Sequence, residues 1–114
     1  MKKLILLSTL ILSSSVLAST QTTQSHRSLT TGEYQSKQMA YEAGFKLMEE
    51  VRAMDASELK RTLPIHQSNV LLPSIKVEDM TVTVEEFASE RGQVAYKALV
   101  NVDYEYQYRE SNNS

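Results

Sequence analysis

From Gln93 to Arg109 the chain alternates with a period of two. Val94, Tyr96, Ala98, Val100, Val102, Tyr104, Tyr106 and Tyr108 share one parity; Ala95, Lys97, Leu99, Asn101, Asp103, Glu105, Gln107 and Arg109 share the other. Successive side chains of a β-strand point to opposite faces, so this pattern predicts a long strand with one buried and one wet side. Fully extended it would reach about 50 Å, which calls for twist and bending. Such a strand needs neighbours and a cover, and the preceding residues supply them.

The neighbour begins near Ser74. Ile75 and Val77 have one parity, whereas Met80, Val82 and Val84 have the other. A regular strand cannot place both sets on one face, so a β-bulge is expected at Glu78-Asp79. Ser89-Glu90-Arg91-Gly92 is the hairpin turn, with Gly92 in the left-handed conformation and Ser89 opposite Gln93. In that register Val84 faces Ala98, Val82 faces Val100 and Met80 faces Val102. On the other side Glu85 meets Lys97 and Phe87 meets Ala95, so charge and apolar matching agree.

The cover is a predicted helix over residues 37–54. Ser36 is its N-cap, and Ala40, Tyr41, Gly44, Phe45, Met48 and Val51 form one stripe flanked by Ala43 and Leu47. Gly44 costs about 1 kcal/mol against alanine in a helix interior, and its place on the stripe points to close contact with the sheet. Asp55 and Glu58 form a second start signal, a capping box, for a short helix carrying Leu59 and Leu63 and ended by Pro64.

The N-terminal residues divide differently. Met1-Lys2-Lys3, the apolar run to Leu12 and Val16-Leu17-Ala18 have the layout of a cleaved signal peptide over residues 1–18. Residues 19–31 are polar without an apolar period and read as a flexible leader. Threonines, Leu29 and Tyr34 leave room for a short added strand within residues 27–34, with Gly32 at a bend or bulge. Residues 32–109 then form a single α+β domain: a small antiparallel sheet built on the C-terminal hairpin and packed by one amphipathic helix. Residues 110–114 read as a frayed tail.

Composition narrows what such a domain does. The 114 residues carry a net charge of −2 and no cysteine. Removal of Lys2 and Lys3 takes the charge to about −4, which disfavours nucleic acid or an anionic membrane as partner. No apolar run after the signal is long enough to span a bilayer. Without cysteine there is no thiol nucleophile, no zinc cluster and no disulfide to reinforce a thin core, which keeps a homodimer in view. The chain has no glycine-rich phosphate loop and no nucleophile elbow.

His26 and His66 stand alone, His26 in the leader and His66 in a loop. Glu85-Glu86 and Asp103 with Glu105 bear the residue types of a glycosidase pair. Glu85 is accounted for by Lys97, however, and alternating charge is ordinary on a wet sheet face. Asp79 and Asp103 come together in the expected register, either as a weak cation site or as a like-charge pair that interrupts pairing. No cofactor and no enzymatic activity are expected.

The most distinctive surface is aromatic. A helix of about 27 Å does not reach the far end of the strand, so Tyr104, Tyr106 and Tyr108 are the candidate interaction surface. The stretches Gly32-Glu33-Tyr34, Ala40-Tyr41-Glu42-Ala43-Gly44-Phe45, Val84-Glu85-Glu86-Phe87 and Val100-Asn101-Val102-Asp103-Tyr104 resemble a family of small exported bacterial proteins of unknown function. That resemblance implies export and a helix-plus-sheet domain, and transfers no catalytic residue. The expectation is therefore a non-enzymatic periplasmic or secreted module, acting through a sheet edge or its tyrosine end on an envelope protein or a second copy of itself. A binder of a small apolar or carbohydrate ligand between helix and sheet is the alternative.

Overall fold

The computed structural model describes residues 20–110. The expected signal peptide and the last four residues of the expected tail lie outside the described residues. Three strands, β1 (Thr20–Tyr34), β2 (Lys76–Glu90) and β3 (Gln93–Arg109), form an antiparallel sheet in the order β1-β3-β2. Helix α1 (Lys37–Arg52) and the short helix α2 (Ala56–Thr62) lie between β1 and β2 in sequence. The period-two stretch is thus the central strand of an α+β domain.

The hairpin register agrees with the sequence reading: Val84 is opposite Ala98, Val82 opposite Val100, Met80 opposite Val102 and Glu85 opposite Lys97. The register slips by one residue between Val77 and Asp79, which brings Val77 beside Tyr104. This is the bulge that the change of parity demands. At the turn the closing pair is Glu90 with Gln93, and the extra residue lies between Ala88 and Glu90. The predicted Ser89–Gln93 closure is therefore displaced by one position. Gly92 has φ 81°, a conformation open to glycine without strain.

Ser36 caps α1 by accepting the Met39 N–H at 3.1 Å. Asp55 and Glu58 complete the capping box of α2, with bonds of 2.9 and 3.1 Å. The buried face of α1 is Ala40, Gly44 and Val51. A Cβ built on Gly44 would lie 2.6 Å from a Val82 methyl and 3.1 Å from the Ala98 Cβ. Glycine over alanine lets the helix backbone settle directly on β2 and β3. Tyr41 and Phe45, expected on that stripe, are instead 39% and 50% exposed and stacked on each other at 6.3 Å. The small residues set so close an approach that neighbouring large rings are pushed to the flank of the contact.

The strand end beyond α1 is also roofed. Leu59, Leu63, Ile65 and Ile75 join Val51, Val100, Val102, Tyr104 and Tyr106 in one core. The Leu71 N–H donates to the Gln107 carbonyl and the Arg109 N–H to the Asn69 carbonyl, both at 2.9 Å. Past the end of β2, residues 69–71 therefore take over the flank of β3.

The expected flexible leader is a strand. From Thr20 to Thr30 each residue pairs in unbroken register with β3, from Thr20 opposite Arg109 to Thr30 opposite Leu99. Threonine-rich sequence favours extended backbone, and the long central strand offers a complete template. Its bulge falls where Gly32 suggested, between Thr30 and Glu33. There the Thr31 hydroxyl accepts the Ala98 N–H at 3.0 Å in place of a backbone carbonyl.

Candidate functional site

Tyr104 and Tyr106 are 6% and 8% exposed, and Tyr108 is half-buried. The Tyr104 hydroxyl donates to the Leu63 carbonyl at 3.2 Å, and the Tyr104 and Tyr106 rings stack at 6.2 Å. Burial, then the neighbouring Tyr104 and Tyr108 phenols, pushes the Tyr106 phenol up from its ordinary value of 10.0. The aromatic end expected to be bare is covered by residues 63–75, so these tyrosines are core in this fold. A sequence reading that counts only the long helix as roof misses this second cover.

What the fold leaves open is the other side of the sheet and its β1 edge. Among the described residues, helices lie on one sheet face; on the other, polar side chains link the strands. Ser28 donates to the Asn101 side-chain oxygen at 2.7 Å, and the Asn101 amide reaches Thr81 and Thr83 at 3.3 Å. The Asp103 carboxylate lies 2.8 Å from the His26 ring nitrogen. Both of those side chains are exposed, so the pair contributes at most about 1 kcal/mol. Lys97 reaches Glu85 at 3.9 Å and sits 5.3 Å from the centre of the Phe87 ring.

Asp79 is opposite Asp103, as the register required. Among the described residues, however, no group of three or more His, Cys, Asp or Glu is placed to hold a metal ion. His66 is exposed in its loop. Glu85 is engaged by Lys97 across the strands, and Glu105 accepts a 3.4 Å hydrogen bond from Gln24. Glu85 and Glu105 are thus each linked to a side chain on the neighbouring strand.

The edge follows from which way the backbone groups point. In β3 the amides of Gln107 and Arg109 turn toward the β2 flank, bonding Ser74 Oγ and the Asn69 carbonyl. The Ala98 amide turns toward β1. Even-numbered residues of β3 therefore serve β1, and their partners in β1 are the odd-numbered Gln21, Thr23, Ser25, Arg27 and Leu29. The backbone groups of Thr20, Thr22, Gln24, His26, Ser28 and Thr30 consequently point outward from the sheet. Residues 24–28 are exposed on both faces as well. This edge was hidden from sequence reasoning because threonine, glutamine and serine carry no hydrophobic period; β-propensity was the one signal.

Between α1 and the sheet the contact at Gly44 is closed. A hollow of about 350 Å³ opens at its margin, floored by Val51, Met54, Leu59, Val77 and Met80, with Arg52, Glu78 and Asp79 at the rim. Among the described residues no helix is long and apolar enough to cross a membrane. No curated protein and no solved structure matches the chain. A family model does: its description is domain of unknown function (DUF8398), and it matches residues 1–111.

Proposed function

We propose, for a chain that belongs to the DUF8398 family, the role of an exported, non-enzymatic binding or structural module. It acts in the periplasm or outside the cell, and its β1 edge pairs with an extended segment of a protein partner. Strand addition to an open edge draws affinity from main-chain hydrogen bonds and leaves alternate side chains to select the partner. The observation that carries this reading is the unbroken register of residues 20–30, with six residues presenting backbone groups outward. Of the two surfaces expected from sequence, the edge is open and the tyrosine end is roofed.

Gln24→Pro tests it. Proline at an outward-pointing position removes an edge donor while leaving the bonds of β1 to β3 in place. Envelope extract passed over the purified protein should yield a specific partner, or a second copy, with the wild type and lose it with Gln24→Pro. Equal recovery by both would refute edge pairing. A Tyr106→Ser, Tyr108→Ser variant cannot serve, because it would open the core.

The marginal hollow supports a second reading, a small apolar ligand. Its volume lies at the low end of the range for ligand sites. Met80→Trp, which fills it, would abolish such binding without touching the edge.

A further inference from the structure

We infer that the partner of the β1 edge is a second copy of this chain, joined about a two-fold axis at Ser25 to make one continuous six-stranded sheet. The inference rests on the edge reading above and specifies its occupant. Outward-pointing groups of one strand must meet outward-pointing groups of the other, so even-numbered residues pair with even-numbered residues across the axis. Among two-fold antiparallel registers that satisfy this, the one centred on Ser25 uses the whole regular run of residues 20–30. It sets Gln24 against His26 of the second copy, Thr22 against Ser28 and Thr20 against Thr30. Centring on His26 would stack that histidine on itself and bring Gly32, inside the bulge, into the ladder. Centring on Arg27 would oppose two guanidinium groups.

Charge selects the same edge. β1 carries one carboxylate, Glu33, and it lies beyond the regular run. The β2 edge carries Glu78, Asp79, Glu85, Glu86 and Glu90, and is broken by the bulge at Glu78. Two copies of β2 would repel, whereas the regular run of β1 brings no carboxylate to the seam and sets Arg27 against Thr23. The six outward residues of each copy then form about twelve backbone hydrogen bonds. Ser25 and Arg27 are exposed on the helical side of the sheet, so no cover has to be displaced there. An isologous contact of this kind closes on itself; β1 against β2 of another copy would propagate as a filament.

The chain has no cysteine, so single replacements report on this register without background. Ser25 faces its copy as a non-hydrogen-bonded pair, with Cα atoms about 4.5 Å apart, within disulfide reach. With diamide as oxidant, Ser25→Cys should become a covalent dimer. Thr23→Cys and Arg27→Cys should each form no covalent dimer alone and cross-link when mixed. The wild type should sediment as a dimer and Gln24→Pro as a monomer with unchanged circular dichroism.

Three outcomes overturn the inference: no cross-link from Ser25→Cys, equal cross-linking by Arg27→Cys alone, or a ladder of higher species. A monomeric wild type that still loses an envelope partner through Gln24→Pro would refute self-pairing and leave edge pairing standing. If Gln24→Pro changes neither assembly nor partner binding, both fall.

Discussion

The two outer strands of this sheet are held in different ways. β2 is joined to the central strand by a tight turn and lies under α1, with Met80, Val82 and Val84 half-buried. β1 has a complete hydrogen-bonded ladder, yet residues 20–30 supply one hydrophobic side chain to the core, Leu29. Burial of apolar area is the main stabilising term in a fold, whereas an exposed hydrogen bond gains little over its counterpart in water. The body formed by α1, α2, β2 and β3 is thus held by packing, and β1 is held by pairing. A strand held by pairing on one side has the same capacity unused on the other.

The largest effect should separate body from edge. Val102 is fully buried between Met80 and Arg27, and Val102→Ala should destabilise by about 2–3 kcal/mol in urea unfolding. Ser28→Ala, which removes an exposed hydrogen bond to Asn101, should stay within about 0.5 kcal/mol. Equal losses would erase the distinction. Gly44→Ala gains helix propensity but presses a Cβ into Val82 and Ala98, for a net loss of about 1–2 kcal/mol. A gain in stability there would mean that the helix stands further from the sheet.

Smaller effects sharpen the picture at the roofed end. Asp55→Ala removes the capping box of α2 and should cost about 1 kcal/mol, with heightened amide exchange near Tyr104 and none along β1. The weakest signal is alkaline. Tyr106 holds its proton more tightly folded than unfolded, so its contribution is full below the unfolded value of 10.0. That contribution is lost as pH rises through the folded value. Tyr106→Phe should flatten this decline in a thermal melt series above pH 10.0; an unchanged slope would place the tyrosine in solvent.

The body was legible in the sequence and the edge was not. Parity along Gln93–Arg109, its reversal after Val77 and the glycine at position 92 specify strand, bulge and turn, because burial writes a period of two into the residues. The same physics hides β1. A strand stabilised by backbone pairing needs no apolar residues at fixed spacing, so residues 19–31 look like a leader. Tyr41 and Phe45 show the complementary error, since helical spacing gives a stripe's direction but not its width. Here Ala40, Gly44 and Ala98 bring the backbones too close for rings between them. The cover over Tyr104 and Tyr106 comes from an irregular segment, and irregular segments have no period to read.

Amide hydrogen exchange along β1, followed over about a hundredfold range of protein concentration, tests the outward-facing edge most directly. Thr23, Ser25 and Arg27 should be protected throughout, while Thr22, Gln24, His26 and Ser28 exchange freely in dilute solution and become protected as concentration rises. Alternation that is missing at low concentration, or even-numbered amides whose exchange ignores concentration, would contradict a strand with one flank committed to β3 and the other awaiting a second copy.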